Sequence, residues 1–207
     1  MGKKRIVRAV VSDLGKVILW FDNNIFIRKL AAFCPVPEER IREVANWNKD
    51  LLVAFDKGHL SPAEFHRRVA GAVGADITLE EFFAIYNDIF RPNPPALDVL
   101  RRQKAAGRTL ILLSNTDAER FGFVRRHFPE ILIFDDYVLS FKVGMVKPEP
   151  GIYLEAIRRA RCRAEECVYI DDLAENVDAA LKLGMAGILY APETDLEAEL
   201  GKLGPLS

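Results

Sequence analysis

A change of rhythm along the chain limits its possible folds more than any other feature. Short aliphatic runs alternate with helical patterns over most of the length, and one long interval carries helical patterns only. The runs Val7–Ser12, Thr109–Leu113, Cys167–Ile170 and Ala186–Tyr190 are β-branched or aliphatic without polar alternation, which predicts strands covered on both faces. Helical periodicity follows in Pro95–Ala106, which stops at Gly107, and in Thr116–His127, which opens with a Thr116-x-x-Glu119 capping box. It returns in Pro150–Ala160 and in Glu175–Leu183, the latter ending at Gly184 in the favoured C′ position. Strand and helix in alternation predict an α/β fold: a Rossmann-like parallel sheet flanked by helices.

From Asp22 to Pro94 no strand pattern is evident. Ser61-Pro62-Ala63-Glu64 joins a capping box to a proline at N1, and Phe65, Val69 and Val73 then recur every fourth residue. Thr78-Leu79-Glu80-Glu81 leads into Phe82, Phe83, Tyr86, Ile89 and Phe90, while Pro35 and Pro37 precede a helix carrying Ile41, Val44, Ala45 and Trp47. The expectation is a core of residues 1–21 and 95–207 and a small all-helical cap of residues 22–94. Arg91-Pro92-Asn93-Pro94-Pro95 would form a stiff return linker.

Composition removes several classes. Lys and Arg number 29 against 30 Asp and Glu, a net charge of −1, so the chain lacks the basic bias of a nucleic-acid binder. The basic start Met1-Gly2-Lys3-Lys4-Arg5 meets an apolar stretch that Arg8 interrupts and Asp13 ends, too short for a signal-peptide core or a membrane span. Cys34, Cys162 and Cys167 are odd in number and form no CxxC pair, which argues against disulfides or structural zinc and for a reducing cytoplasm. His59, His66 and His127 have no ligand-like spacing. Arg158, Arg159, Arg161 and Arg163 read as a solvated helix face and its exit.

Ligands of open parallel sheets bind at the carboxyl ends of the strands, so the polar residues there are the candidates. They are Asp13-Leu14-Gly15-Lys16 after the first run, Ser114-Asn115-Thr116 after the second, and Asp171-Asp172 with Asn176 after the third, with Lys147 ahead of the helix at Pro150. Asp13 and Asp172 could cradle a hard cation such as Mg²⁺. A carboxylate can also attack phosphorus and divide hydrolysis into two steps. Ser114, Lys147 and the N–H groups of Leu14 and Gly15 could hold phosphoryl oxygens, aided by the dipole of the helix opening at Thr116. Each residue alone has an ordinary structural reading; their order and shared position at strand ends give the set its weight.

At these residues the chain resembles the haloacid dehalogenase superfamily, most of whose members are phosphatases. Asp13 to Val17 is similar to its nucleophile motif, Ser114 to its hydroxyl motif, Lys147 to its lysine motif, and Asp171-Asp172 with Asn176 to its acidic motif. The resemblance implies a Mg²⁺-dependent phosphatase acting on a small phosphorylated metabolite through an aspartyl phosphate. It implies Asp13 as nucleophile and metal ligand, the Gly15 carbonyl and Asp172 as direct ligands, Asp171 acting on the metal through water, and Asn176 in support. Leu14, Gly15, Ser114, Asn115 and Lys147 are the implied phosphate-binding residues. The stretch Ala54–Phe65 resembles the cap of a bacterial sugar-phosphatase branch that includes glucose-1-phosphate phosphatases.

One departure matters. Many of these phosphatases carry an aspartate two residues after the nucleophile, as general acid and base, and this chain has Gly15 there. Substrates with easier leaving groups, such as anomeric sugar, aryl or acyl phosphates, are therefore expected. Lys16 is expected to point to solvent. Trp20, Phe21, Asp22, Trp47 and Phe55 are candidates for setting specificity. Two other readings stay open: a haloacid dehalogenase acting on carbon without metal, and a phosphate- or metal-binding regulator that does not turn over, which Gly15 motivates. Monomer and dimer are equally compatible with the sequence.

Overall fold

The computed structural model describes residues 6–204, the side chain of Trp47 excepted. Along the chain, β1 (Ala9–Ser12) and β2 (Leu19–Phe21) precede five helices: α1 (Asn23–Ala31), α2 (Glu38–Trp47), α3 (Lys49–Asp56), α4 (Pro62–Val73) and α5 (Leu79–Asn87). Next come β3 (Phe90–Pro92), α6 (Pro94–Ala105), β4 (Thr109–Ser114), α7 (Ala118–His127), β5 (Asp136–Leu139) and α8 (Ser140–Val143). The chain then runs through α9 (Pro150–Ala160), β6 (Cys167–Asp171), α10 (Ala174–Lys182), β7 (Ala186–Leu189) and α11 (Leu196–Lys202).

β1, β4, β5, β6 and β7 form one parallel sheet in the order β5-β4-β1-β6-β7, so the fold is the Rossmann-like α/β architecture. Successive residues of the central strands β1, β4 and β6 alternate between two buried layers. Ala9 and Val11 join Ile111, Leu113, Cys167 and Tyr169 on one face, while Val10 joins Leu110, Leu112, Val168 and Ile170 on the other. Covering both faces with helices removes the need for polar alternation, which is why these strands read as continuous apolar runs. The sheet has one strand more than the four aliphatic runs: β5, at the edge beside β4.

Helices α1–α5 enclose a hydrophobic cluster of their own, centred on Leu30, Phe55, Phe65, Phe82 and Tyr86. Their starts follow the sequence signals. Thr78 and Glu81 complete a reciprocal capping box on α5, and Ser61 accepts from the Glu64 N–H at 3.2 Å ahead of Pro62. The strand-free reading of 22–94 needs correction. β3 pairs antiparallel with β2, so the supposed return linker is a strand running directly into a helix, and a two-stranded ribbon joins the helical segment to the sheet. Among the described residues no helix is long and apolar enough to cross a membrane.

Candidate active site

Sheet register brings the strand ends together. Ser12 lies beside Leu112 on β4 and Ile170 on β6, so the next residues, Asp13, Leu113 and Asp171, emerge side by side at the carboxyl edge. The Asp13 N–H closes this edge by donating to the Ile170 carbonyl at 2.8 Å. Lys147 reaches the same point from the loop after α8, and its Nζ lies 2.8 Å from both Asp13 Oδ1 and Asp171 Oδ2. All three are buried, at 8%, 7% and 0% exposure for Asp13, Lys147 and Asp171.

This triad is electrostatically tight. Burial, with Asp171 adding to it, pushes the Asp13 carboxyl up to about 6 against the opposing pull of Lys147. Burial alone would lower Lys147, but its two carboxylates outweigh that and hold it above the usual lysine range. Burial would likewise raise Asp171, yet Lys147, the Tyr169 hydroxyl and the Leu173 N–H hold it below the usual carboxylate range. Asp171 is saturated: Oδ1 accepts from the Leu173 N–H at 2.8 Å, Oδ2 accepts from Lys147 and Tyr169, and the Asn176 amide donates to both oxygens at 3.0 and 3.1 Å. Asn176 thus braces Asp171.

A cavity of about 190 Å³ opens over these groups, lined by Asp13, Gly15, Ser114, Lys147, Asp172 and Asn176 among others. Asn115 bounds it too, but its side chain clamps the Lys147 backbone, accepting from the Lys147 N–H at 2.8 Å and donating to the Lys147 carbonyl at 3.1 Å. Leu14 differs from expectation: its N–H is taken by Asp13 Oδ1 at 2.7 Å, because a strand-end carboxylate readily accepts from the next amide.

Two further expectations are corrected. Lys16 does not simply point to solvent. Its backbone is left-handed at φ 55°, and its half-exposed ammonium turns over the cavity to lie 3.3 Å from Asp172 Oδ2. The helix after Ser114 begins at Ala118, capped by Asp117, whose Oδ1 accepts from the Arg120 N–H at 2.9 Å. Thr116 lies outside the helix: the first intrahelical bond runs from the Phe121 N–H to the Asp117 carbonyl at 3.1 Å, and Ser140 Oγ instead accepts from the Thr116 N–H at 2.8 Å and donates to its carbonyl at 2.9 Å.

The specificity candidates separate. Phe21 lines the cavity. Phe55 is stacked on Phe65 at 4.1 Å inside the helical segment, Trp20 packs on Tyr190, and Asp22 caps α1. The Trp47 side chain lies outside the described residues. The cavity walls also include Phe90, which reads in the sequence as part of an apolar helical pattern, and Arg120, which lies inside the helix beyond the strand-end residues.

Oxygens of Asp13, Asp171 and Asp172 lie within 4.8 Å of one another, a hard, all-oxygen donor set. With Asp171 saturated, Asp13 and Asp172 retain free acceptor capacity, and the Lys16 ammonium beside Asp172 marks where positive charge is favoured. The residues therefore fit a Mg²⁺ ion.

A model of haloacid dehalogenase-like hydrolases matches residues 7–184, and the chain belongs to this family of hydrolases. It is similar to sesquiterpene phosphatase astK of Aspergillus oryzae, 26% identical over 142 residues, which are 68% of this chain and 72% of that protein. It is also similar to drimenol cyclase drtB of Aspergillus calidoustus, 22% identical over 199 residues; the match takes in 94% of this chain but 36% of that protein. Among solved structures, a HAD family enzyme of Bacteroides thetaiotaomicron in complex with magnesium and inorganic phosphate has a TM-score of 0.80. It is 23% identical and covers 93% of this chain and 98% of that one, a likeness of fold.

Proposed function

We propose that the chain is a Mg²⁺-dependent phosphatase hydrolysing small phosphate monoesters, with Asp13 as nucleophile. The observation carrying this reading is the buried Asp13–Lys147–Asp171 triad, with Asp172 alongside and Ser114 on the same cavity wall. The relatives add support: one is named a phosphatase, and one is solved with magnesium and inorganic phosphate.

In the first step an Asp13 carboxylate oxygen bonds to phosphorus as the ester P–O bond breaks; the electron pair leaves with the alcohol oxygen, which takes a proton from water. In the second, water attacks the same phosphorus, the acyl-phosphate P–O bond breaks, and inorganic phosphate and the Asp13 carboxylate are restored. Lys147 aims Asp13 and, with the Ser114 hydroxyl, offsets charge on the phosphoryl oxygens. Asp171, held by Tyr169 and Asn176, acts as a positioning residue for Lys147. Asp13, Asp172 and the Gly15 carbonyl would hold Mg²⁺, which when bound neutralises phosphoryl charge.

Gly15 supplies no acid, and a Cβ there would lie 2.6 Å from the Phe21 ring, so the aromatic ring occupies that space. Substrates whose leaving groups depart without a proton are favoured. Residues 22–94 act as a cap that excludes water and meets the leaving group. Lys57 of this segment pairs with Glu149, two residues beyond Lys147, at 2.6 Å, and Tyr86 donates to Asp117 at 3.1 Å. The substrate is a small phosphorylated metabolite; a sugar phosphate rests on the resemblance of residues 54–65 alone.

Hydrolysis of p-nitrophenyl phosphate with Mg²⁺ or excess chelator, by the wild type and Asp13→Asn, tests this. The expected results are loss of turnover without Mg²⁺ and a drop of roughly 10³-fold or more in the variant. Asp13→Asn activity within tenfold of wild type would sink the proposal.

A further inference from the structure

A second cavity, about 500 Å³, lies among helices α1–α5. Phe26, Ile27, Leu30, Leu52, Val69 and Val73 are among the side chains forming its wall. Its size falls in the usual range for a small-molecule site, roughly 300–1,000 Å³, whereas the 190 Å³ cavity over Asp13 accommodates a phosphate and little more. One residue, Arg120, lines both.

Arg120 is held for that position. Its guanidinium stacks 3.9 Å from the Tyr86 ring centre and donates to Asn23 Oδ1 at 3.1 Å, and its backbone is fixed by the Asp117 cap. Its Nε is buried with no hydrogen-bond partner among the described residues. A buried donor without an acceptor is costly and is satisfied if a polar ligand atom passes it. A phosphate ester extending from one cavity to the other has such an atom at the junction, between its anionic head and its carbon skeleton.

We infer that the 500 Å³ cavity receives the apolar, uncharged organic part of the phosphate monoester, with the substrate threading past Arg120 into the Asp13 pocket. This rests on the phosphatase reading and deepens it: the preferred substrate is an amphiphile with one phosphate head and a medium-length hydrocarbon or aromatic body.

Linear n-alkyl phosphates from ethyl to nonyl test it, because beyond ethyl the leaving-group chemistry is nearly constant while apolar area grows. For the Mg²⁺-loaded wild type, kcat/KM is expected to rise with each methylene, by roughly fourfold at most, and to level off as the cavity fills. Ala72, an exposed residue on the cavity wall, offers a variant away from the chemistry. Ala72→Trp is expected to flatten the chain-length profile and leave ethyl phosphate turnover unchanged. Calorimetric titration of metal-free Asp13→Asn protein with 1-octanol gives a readout independent of turnover, and saturable binding weakened by Ala72→Trp is expected. A flat alkyl series with measurable ethyl phosphate turnover overturns the inference and leaves the phosphatase reading standing. If no alkyl ester is turned over, hydrolysis of p-nitrophenyl phosphate decides the phosphatase reading, and the octanol titration decides the cavity alone, with no saturable binding overturning it.

Discussion

An aspartate placed at position 15 will not improve this enzyme until Phe21 is removed. The ideal Cβ of a residue at 15 would stand 2.6 Å from Phe21 Cε1, closer than carbon atoms approach, and 3.2 Å from Cδ1. The half-buried ring is held in part: it packs against Phe90 with centroids 6.0 Å apart, and the Lys16 ammonium sits 5.7 Å from its centre. Overpacking of this kind costs about 1–3 kcal/mol. For a chain of this size each kcal/mol moves Tm by about 2–4 °C, so Gly15→Asp should lower Tm by roughly 2–12 °C. Its carboxyl, displaced with the ring, should leave alkyl phosphate turnover unimproved. In a Phe21→Ala background the three nearest contacts of that Cβ, all ring atoms, are gone. The double variant should lose less Tm relative to Phe21→Ala than Gly15→Asp loses relative to the wild type. It should also hydrolyse alkyl phosphates at least tenfold faster than Phe21→Ala, toward the roughly 10²–10⁴ that a positioned acid contributes. Thermal melts and steady-state kinetics on the four proteins of this cycle provide the readout. If Gly15→Asp alone keeps the wild-type Tm and speeds alkyl phosphate hydrolysis, the steric argument is wrong.

Three other perturbations have defined outcomes. Lys147→Met leaves Asp13 and Asp171 buried without their counter-charge, which should cost about 3–5 kcal/mol at neutral pH in denaturant titrations. Because both carboxyls then hold protons more tightly folded than unfolded, the gap to wild type should narrow as pH falls toward 4. Asp56 lies near Asp117, and burial together with that charge, partly relieved by Arg120, pushes it up to about 7. A carboxyl raised in the folded state contributes stability that is complete below about pH 4 and lost as pH rises through 7. Asp56→Asn should therefore raise Tm more at pH 8 than at pH 4. Lys16→Ala removes the ammonium beside Asp172 and should tighten Mg²⁺ binding by roughly twofold to fivefold in calorimetric titration.

Features that repeat along the chain were legible in the sequence, and features made by distant segments meeting were not. β1, β4, β6 and β7 are apolar on both faces and announce themselves, and α9 matches its periodicity residue for residue. β5 escapes because its sequence, Asp-Tyr-Val-Leu, opens with polar and aromatic residues at a sheet edge bonded on one side only. The β2–β3 ribbon has three residues per strand, too few for any period, and exists through pairing between opposite ends of the helical segment. Asp117 was missed as the α7 cap because Thr116 offers a hydroxyl one residue earlier; the Asp117 carbonyl accepts the first intrahelical bond, and Ser140, from another strand end, engages Thr116. Asp13, Ser114, Lys147, Asp171 and Asp172 stand out in the sequence only as a set, by recurring in order directly after buried strands or ahead of a helix; each alone has an ordinary structural reading. Arg120 and Phe90 reach the cavity only through the fold.

Trapping the covalent intermediate tests the central claim most directly. Enzyme in excess over a phosphate monoester, with Mg²⁺, is quenched in acid within a single turnover, and its peptides are mapped by mass spectrometry. The account predicts one phosphoryl group on the peptide containing Asp13, labile to hydroxylamine and absent from Asp13→Asn. A phosphoryl group on another residue, or none while the ester is consumed, would contradict it.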